Sequence, residues 1–542
     1  MLTGNMMDFQ LTINSVMRHG RSIYGKQEII SVTADQPLHS YTYEQAFARA
    51  SQLGSALAEM GLSPGDRVAT LAWNDYRHLE AYYGISCSGL VCHTINPRLF
   101  PEQLIYIVNH AEDKVLMVDL LLFPLVEKLR DKMPSVQRII IMTDEAHMPS
   151  TELEVECYET LLAGRPTDFE FPEFDENTAS SLCYTSGTTG DPKGVLYSHR
   201  STVLHSMACT SSSTFALNIR DTVMPIVPMF HVNAWSLPYA TVMAGCKIVF
   251  PGPKMGDGAV LTQLVNQCKV SVAAGVPTIW LAMLNHLREH NETVPSLKRI
   301  CVGGAATPQT IMDEFEQQHG VSVHPAWGMT ETSPLGTFNM LRPELDDLPA
   351  EQLNNYKLKP GLPAYGVELR VAGPAGNEQP RDGESFGNLG IRGPWVASQY
   401  FRSDKSIIDE QGFMDTGDIA TIDQYGYMQI TDRAKDVIKS GGEWISSIDL
   451  ENAATSHPDI AEAAVIGVPH PKWDERPLLV AVAAANKKLS LAELNTYLGE
   501  HVAKWWLPDD VVYVDELPHA ATGKLDKKVL REQFKNHQLP TA

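Results

Sequence analysis

The stretch Leu182-Cys183-Tyr184-Thr185-Ser186-Gly187-Thr188-Thr189-Gly190-Asp191-Pro192-Lys193-Gly194 runs from an apolar strand signature into four hydroxyls and three glycines around one lysine. Such a loop has little Cβ obstruction, many exposed N–H donors and hydroxyls able to follow a chain of phosphates, and Lys193 adds a point charge. It is not a Walker A loop, because the GxxxxGK[ST] spacing is absent. Ala46, Phe47, Ala50, Leu53, Ala56, Leu57 and Met60 mark one face of a helix that Gly61 ends, and residues 67–72 read as a buried strand. The unit recurs as helix 102–110 with strand 114–118, and helix 258–268 with strand 270–274. This alternation predicts an α/β fold with parallel sheets covered by helices on both faces.

Beyond about Pro360 the texture changes to short strands punctuated by Gly361, Gly373, Gly376, Gly383, Gly387, Gly390 and Gly393, which predicts a small β-rich subdomain. From Asp432 a further pattern follows: helix 448–456, strands 462–468 and 478–484, helix 491–501. With 542 residues, the chain exceeds the roughly 250–300 that one core can serve. The expected division is a domain over 1–432 and a small mobile α+β domain over 433–542, joined by a tight hinge.

The formal charge of −22 argues against a nucleic-acid surface but allows local anion sites at loops, helix N-termini and single cations. The eight cysteines, at 87, 92, 157, 183, 209, 246, 268 and 301, form no CxxC pair, which predicts reduced thiols in a cytoplasmic protein. Met1–Val16 has no signal-peptide pattern, and no run reaches the ~18 apolar residues of a membrane span. His286-Leu287-Arg288-Glu289-His290 has the HxxEH spacing of some zinc peptidases, but it lies on an amphipathic helix over 278–290 with no third ligand evident.

The loop at 184–194 resembles the phosphate-binding signature of the adenylate-forming superfamily, which includes acyl-CoA synthetases, luciferases and peptide-synthetase adenylation domains. Further motifs follow in family order over nearly the whole chain. The resemblance implies that Thr185, Ser186, Gly187, Thr188, Thr189, Gly190 and Lys193 cradle the ATP phosphates, and that Gly303-Gly304-Ala305-Ala306 presents backbone to adenine and the acyl carbonyl. It implies that Ala326, Trp327, Gly328, Met329 and Thr330 surround the adenine, with Trp327 where the family usually has Tyr, and that Thr185 and Glu331 hold Mg²⁺. In Thr416-Gly417-Asp418 the carboxylate would accept both ribose hydroxyls, and Arg433 would reach ribose or phosphate. Lys435 matches the hinge and, with the Gly441-Gly442-Glu443-Trp444 loop, the coenzyme A side; Lys439 matches a catalytic lysine brought to the acyl-adenylate with that loop, and Lys524 the lysine that neutralises charge beside the α-phosphate. Ser446-Ser447 stands where the family commonly has Pro, which predicts an altered helix cap.

Pro228-Met229-Phe230-His231-Val232-Asn233-Ala234-Trp235 bears on the acid. The resemblance implies that His231 orients the carboxylate and that Trp235, together with Gly303 and Gly328, bounds the acyl channel, as in bacterial fatty acyl-CoA synthetases. Residues 71–74, 78–80, 96–99 and 109–114 look like medium-chain fatty acid ligases and equally like ligases for 3-(methylthio)propionate. The implied function is ATP-dependent acyl-CoA ligation of a small-molecule carboxylic acid, a medium- or long-chain fatty acid, with ATP, Mg²⁺ and coenzyme A and a homodimeric assembly. The alternatives are the short thioether acid as substrate and, in another class, a luciferase-like oxidoreductase.

Overall fold

In the computed structural model, residues 1–185, 191–373, 376–440, 443–484, 488–519 and 525–541 are described. They group into two compact units, one comprising Met1–Gly187, Asp191–Glu368 and Arg392–Ile408, the other Leu369–Ile391 and Asp409–Ala542. The expected boundary at 432/433 falls inside the second unit, in the strand Met428–Arg433.

The helix–strand alternation of the first unit produces two large sheets. One has nine strands in the order Leu362–Pro363, Leu335–Phe338, Ser322–Gly328, Arg299–Val302, Val272–Gly275, Thr222–Pro225, Lys247–Phe250, Glu28–Ser31, His39–Thr42. Its interior pairs are parallel and its outer pairs antiparallel. The other has seven strands, parallel from Glu156–Cys157 to Ala179–Tyr184, and ends in the antiparallel pairing of Ala179–Tyr184 with Gly194–Ser198. Helix Tyr76–Cys87 touches strands of both sheets and every one of its residues is buried, so it carries no polar face. Its N-cap Asp75 accepts from the His78 amide at 2.9 Å. The helix expected over 278–290 is Pro277–His290, on which His286 and His290 stack with ring centres 4.2 Å apart.

The Gly- and Pro-punctuated region forms a four-stranded sheet, Glu368–Ala372, Gly387–Arg392, Met414–Ile422 and Met428–Arg433, the last three antiparallel. The tail of the chain adds a second sheet in which Ile460–His470 and Asp474–Ala483 pair antiparallel and Asp510–Tyr513 lies parallel to the latter. Helices Ser447–Thr455 and Leu491–Leu498 contribute to its core through Leu450, Leu494 and Leu498. Ser446 caps the first of these, its hydroxyl accepting from the Asp449 amide at 3.1 Å, so Ser446 serves as the altered cap. No helix among the described residues is long and apolar enough to cross a membrane.

Candidate active site

The antiparallel register Tyr184↔Gly194 closes the mouth of the anion loop. There the Thr185 amide donates to the Lys193 carbonyl at 2.9 Å and the Lys193 amide to the Thr185 hydroxyl at 3.1 Å. Ser186, Gly187, Thr188, Thr189 and Gly190 lie outside the described residues. The Lys193 ammonium stands 4.8 Å over the ring of Tyr400, whose hydroxyl donates to Glu331 Oε1 at 2.7 Å. Burial, then the Glu331 carboxylate, holds the Tyr400 phenol well above its ordinary pKa, so it remains a donor at any physiological pH. The same segment donates from the Ala397 amide to the Glu331 carbonyl and from the Phe401 amide to the Gly194 carbonyl, each at 2.8 Å. Tyr400 therefore bridges the lysine of the anion loop and the carboxylate that the motifs assign to the metal. Sequence reading missed it.

Glu331 is buried, on a short 3₁₀ turn, Thr330–Thr332, after the strand Ser322–Gly328. Tyr197 donates to the Thr330 carbonyl at 2.6 Å. Residue 328 has to be glycine: a Cβ there would sit 1.6 Å from the Pro334 carbonyl oxygen. Ala326, Trp327, Gly328 and Met329 are half-buried along this edge. At the end of the neighbouring strand Gly303 is buried, while Gly304 (φ +82°) turns the chain and Ala305 is exposed.

The acid-side segment has an unexpected backbone. Val232, Asn233, Ala234, Trp235 and Ser236 all have positive φ, between 47° and 57°. For non-glycine residues the left-handed region costs roughly 1–2 kcal/mol each, so other contacts must hold the turn in place. Asn74 supplies part of the scaffold: its Nδ2 donates to the Pro225 and Val227 carbonyls at 2.9 and 2.8 Å, and its Oδ1 accepts from the Met229 amide at 2.7 Å. Tyr82 donates to the Met229 carbonyl. Phe230 is buried, with Trp73 at its edge 5.7 Å away and the Arg98 guanidinium 5.8 Å over its ring. Trp235 packs on bare backbone, since a Cβ on Gly303 would come within 2.6 Å of its indole. His231 is half-buried at the head of the turn, and its amide donates to the Pro228 carbonyl at 3.1 Å. Several segments that carried the fatty-acid-ligase resemblance, around Trp73, Asn74 and Arg98, thus support residues 225–230, which lead into His231.

In the second unit, cross-strand register sets Arg433 opposite Asp418, and they form an ion pair at 2.7 Å with the carboxylate buried and the guanidinium half-exposed. Lys435 and Lys439 are exposed. Lys439 faces Trp444 across the hairpin, and Trp444 stacks on Phe386 at 6.0 Å. Asp432 is fully buried and receives the Ser447 amide and, at 3.0 Å, its hydroxyl. Lys527 donates to the Ser447 hydroxyl and pairs with Glu451, both at 2.6 Å. Gly441, Gly442, the Glu443 side chain and Lys524 lie outside the described positions. The flanks of Lys524 meet in a bridge between His519 and Leu525, with the Asp526 amide donating to the Pro518 carbonyl at 2.8 Å.

The two-unit α/β architecture and the ordered series of motifs define an adenylate-forming enzyme. The AMP-binding enzyme model matches residues 23–401, and the AMP-binding enzyme C-terminal domain model matches 449–524. Over 99% of both chains the protein is 49% identical to a 3-methylmercaptopropionyl-CoA ligase of Ruegeria lacuscaerulensis. It is 48% identical, over 98% of both chains, to a medium-chain-fatty-acid–CoA ligase of Ectopseudomonas oleovorans. Its fold matches the crystal structure of ATP-bound MatB from Rhodopseudomonas palustris with a TM-score of 0.82 at 25% identity, covering 97% of this chain and 99% of that one. The chain belongs to the AMP-binding enzyme family, and its relatives place it among the AMP-forming acyl-CoA ligases.

Proposed function

We propose that this ligase activates a medium- or long-chain fatty acid, first as its acyl-adenylate and then as its coenzyme A thioester. The observation that carries the reading is the indole of Trp235, four residues after His231, lying against the bare Cα of Gly303: a large apolar side chain against the glycine loop can open or plug an apolar channel. Relatives with 49% and 48% identity leave the short thioether acid as the rival. A panel of straight-chain acids from acetate to palmitate, with 3-(methylthio)propionate, scored by thioester formation decides between them. The fatty-acid reading predicts a maximum of kcat/KM at octanoate or longer, and a maximum at 3-(methylthio)propionate reverses it. Trp235→Ala should broaden the profile, and an unchanged profile would remove Trp235 from the acid pocket.

ATP, Mg²⁺ and coenzyme A are the family's co-substrates and metal. Thr185 and Glu331 offer a hydroxyl and a carboxylate, hard oxygens of the kind Mg²⁺ takes, and Tyr400 already orients one carboxylate oxygen. Bound there, Mg²⁺ would withdraw charge from the phosphate oxygens as pyrophosphate leaves.

The chain's own residues do the rest. Residues 185–190 and Lys193 hold the phosphates, Gly304, Ala305 and 326–330 the adenine, and Asp418 with Arg433 the ribose. Tyr400, under the Lys193 ammonium and bonded to Glu331, links the phosphate-binding lysine to the metal-binding carboxylate. His231 orients the carboxylate that attacks the α-phosphorus, and Lys524 neutralises the charge that builds there. Rotation at Lys435 then replaces Lys524 with Lys439 and Gly441–Trp444, which guide the thiolate to the acyl carbon. Performing both halves in one pocket keeps the anhydride from water. A mobile domain over 433–542, a homodimer and a cytoplasmic location belong to the same proposal. All eight thiols are buried and unbridged, which suits a reducing compartment.

A further inference from the structure

We infer that Asn233 is a positioning residue for the acid site: its buried amide fixes the left-handed turn that sets His231 and Trp235, and pegs that turn to the strand that opens the phosphate loop. The inference rests on the reading that His231 and Trp235 bound the acid pocket.

Of the five residues with positive φ, only Asn233 is of a type that adopts this conformation readily. Val232, Ala234 and Trp235 have no intrinsic reason to do so, and a β-branched residue such as Val232 resists it most. Val232–Ser236 forms one short left-handed helical turn, in which the Ala234 amide bonds back to the Pro228 and His231 carbonyls and the Leu237 amide to the Ala234 carbonyl. The side chain that ties this turn to the neighbouring sheet is Asn233, only 3% exposed. Nδ2 donates to the Ser181 hydroxyl at 2.8 Å. Oδ1 receives the Tyr82 hydroxyl and the Cys183 thiol, each at 3.3 Å, and the Thr94 hydroxyl at 3.5 Å.

The identity of these partners gives the contact its meaning. Ser181 and Cys183 are alternate residues of Ala179–Tyr184, so both project from the same face of that strand. Two residues beyond Cys183 the chain reaches Thr185, where the anion loop begins. Thr94 ends the neighbouring strand, which pairs with Ala179–Tyr184 in parallel. Tyr82 holds the Met229 carbonyl with the same hydroxyl that reaches Asn233. One amide thus gathers the sheet edge under the phosphate loop, the helix Tyr76–Cys87 and the acid-side turn. A buried amide with every polar atom engaged fixes both distance and orientation, which a hydrophobic side chain of the same size cannot do.

The test compares Asn233→Gly with the parent enzyme. Glycine accepts positive φ without strain, so the variant keeps the turn accessible and removes only the amide. Acid-dependent ATP–pyrophosphate exchange is measured across the acid panel and normalised to the folded fraction by circular dichroism. The expected result is a KM for the preferred acid raised about 10-fold, a flattened acid order, and a KM for ATP within about twofold of the parent. Ser181→Ala, which removes one partner from the other side, should shift the acid KM in the same direction by less. A residue that merely stabilised the fold would lower the amount of active protein and leave the acid KM and the acid order alone. Folded Asn233→Gly with the parent's acid KM and order overturns the inference. Should that variant not fold, Ser181→Ala with the parent's values does the same. Trp235→Ala separates the two readings. If it changes the acid order while Asn233→Gly does not, only this inference fails. If neither changes it, the acid-pocket reading fails with it.

Discussion

In the first unit the groups that meet around the anion loop and the acid-side turn are buried and held by short hydrogen bonds: Glu331 by Tyr400, the Met229 region by Asn74, the turn by Asn233. In the second unit Lys435, Lys439 and Arg433 stand exposed, and buried Asp432 and Lys527 form a network around Ser447 with the half-buried Glu451. The difference is physical. Buried, fully engaged groups with a strained backbone keep one geometry and suit a pocket that must recognise a transition state. Exposed cations on short hairpins reorient at little cost and suit groups that serve successive steps.

That contrast predicts effects of different size. Removing the first unit's buried carboxylate without changing its shape, Glu331→Gln, should lower pyrophosphate exchange by ~10²–10³ and acid-dependent AMP formation in proportion. A loss under tenfold would put the metal elsewhere. Fixing the second unit's backbone with Lys435→Pro should cut thioester formation by about 10-fold or more while exchange stays near the parent's, because only the second half requires rotation. Exchange failing first would move the hinge.

The smallest effect is on stability. Burial raises the Glu451 carboxyl from its ordinary 4.5 to about 7, against the pull of Lys527. The folded state then holds more protons than the unfolded state between those values, so this group's contribution to stability falls as pH rises through that window. A tenfold change in a group's proton affinity on folding is worth about 1.4 kcal/mol. Asp432 and Asp449, also raised by burial, contribute with the same sign. Glu451→Gln should flatten the decline of Tm between pH 5 and 7, on the order of 1 kcal/mol. An unchanged slope would mean that Glu451 is ionised throughout.

Helix Gly258–Cys268 and strand Arg67–Leu71 were legible because local periodicity and burial agree there. The β-rich region after Pro360 was legible from its glycines. Within it Leu369–Ile391 and the strands from Asp409 onward group with the chain's tail while Arg392–Ile408 groups with the first unit, a long-range division that no local pattern encodes. The loop at 184–194 and Glu331 could be read because motif chemistry is contiguous. Tyr400 could not, since it lies 69 residues from Glu331 and its neighbours Ser398 and Gln399 carry no signal. The left-handed turn was equally hidden: Val232 and Ala234 have no local preference for it, and the side chains of Asn233 and Asn74 that secure it act across 50 residues or more.

The central claim is that Lys524 serves adenylation alone, at the α-phosphorus held by the first unit's loop. Lys524→Ala separates the halves directly, with acid-dependent ATP–pyrophosphate exchange in one assay and conversion of supplied acyl-adenylate plus coenzyme A to thioester in the other. The account predicts exchange down by more than ~10² with the second reaction near the parent's rate. Equal loss in both reactions, or undiminished exchange, would contradict it.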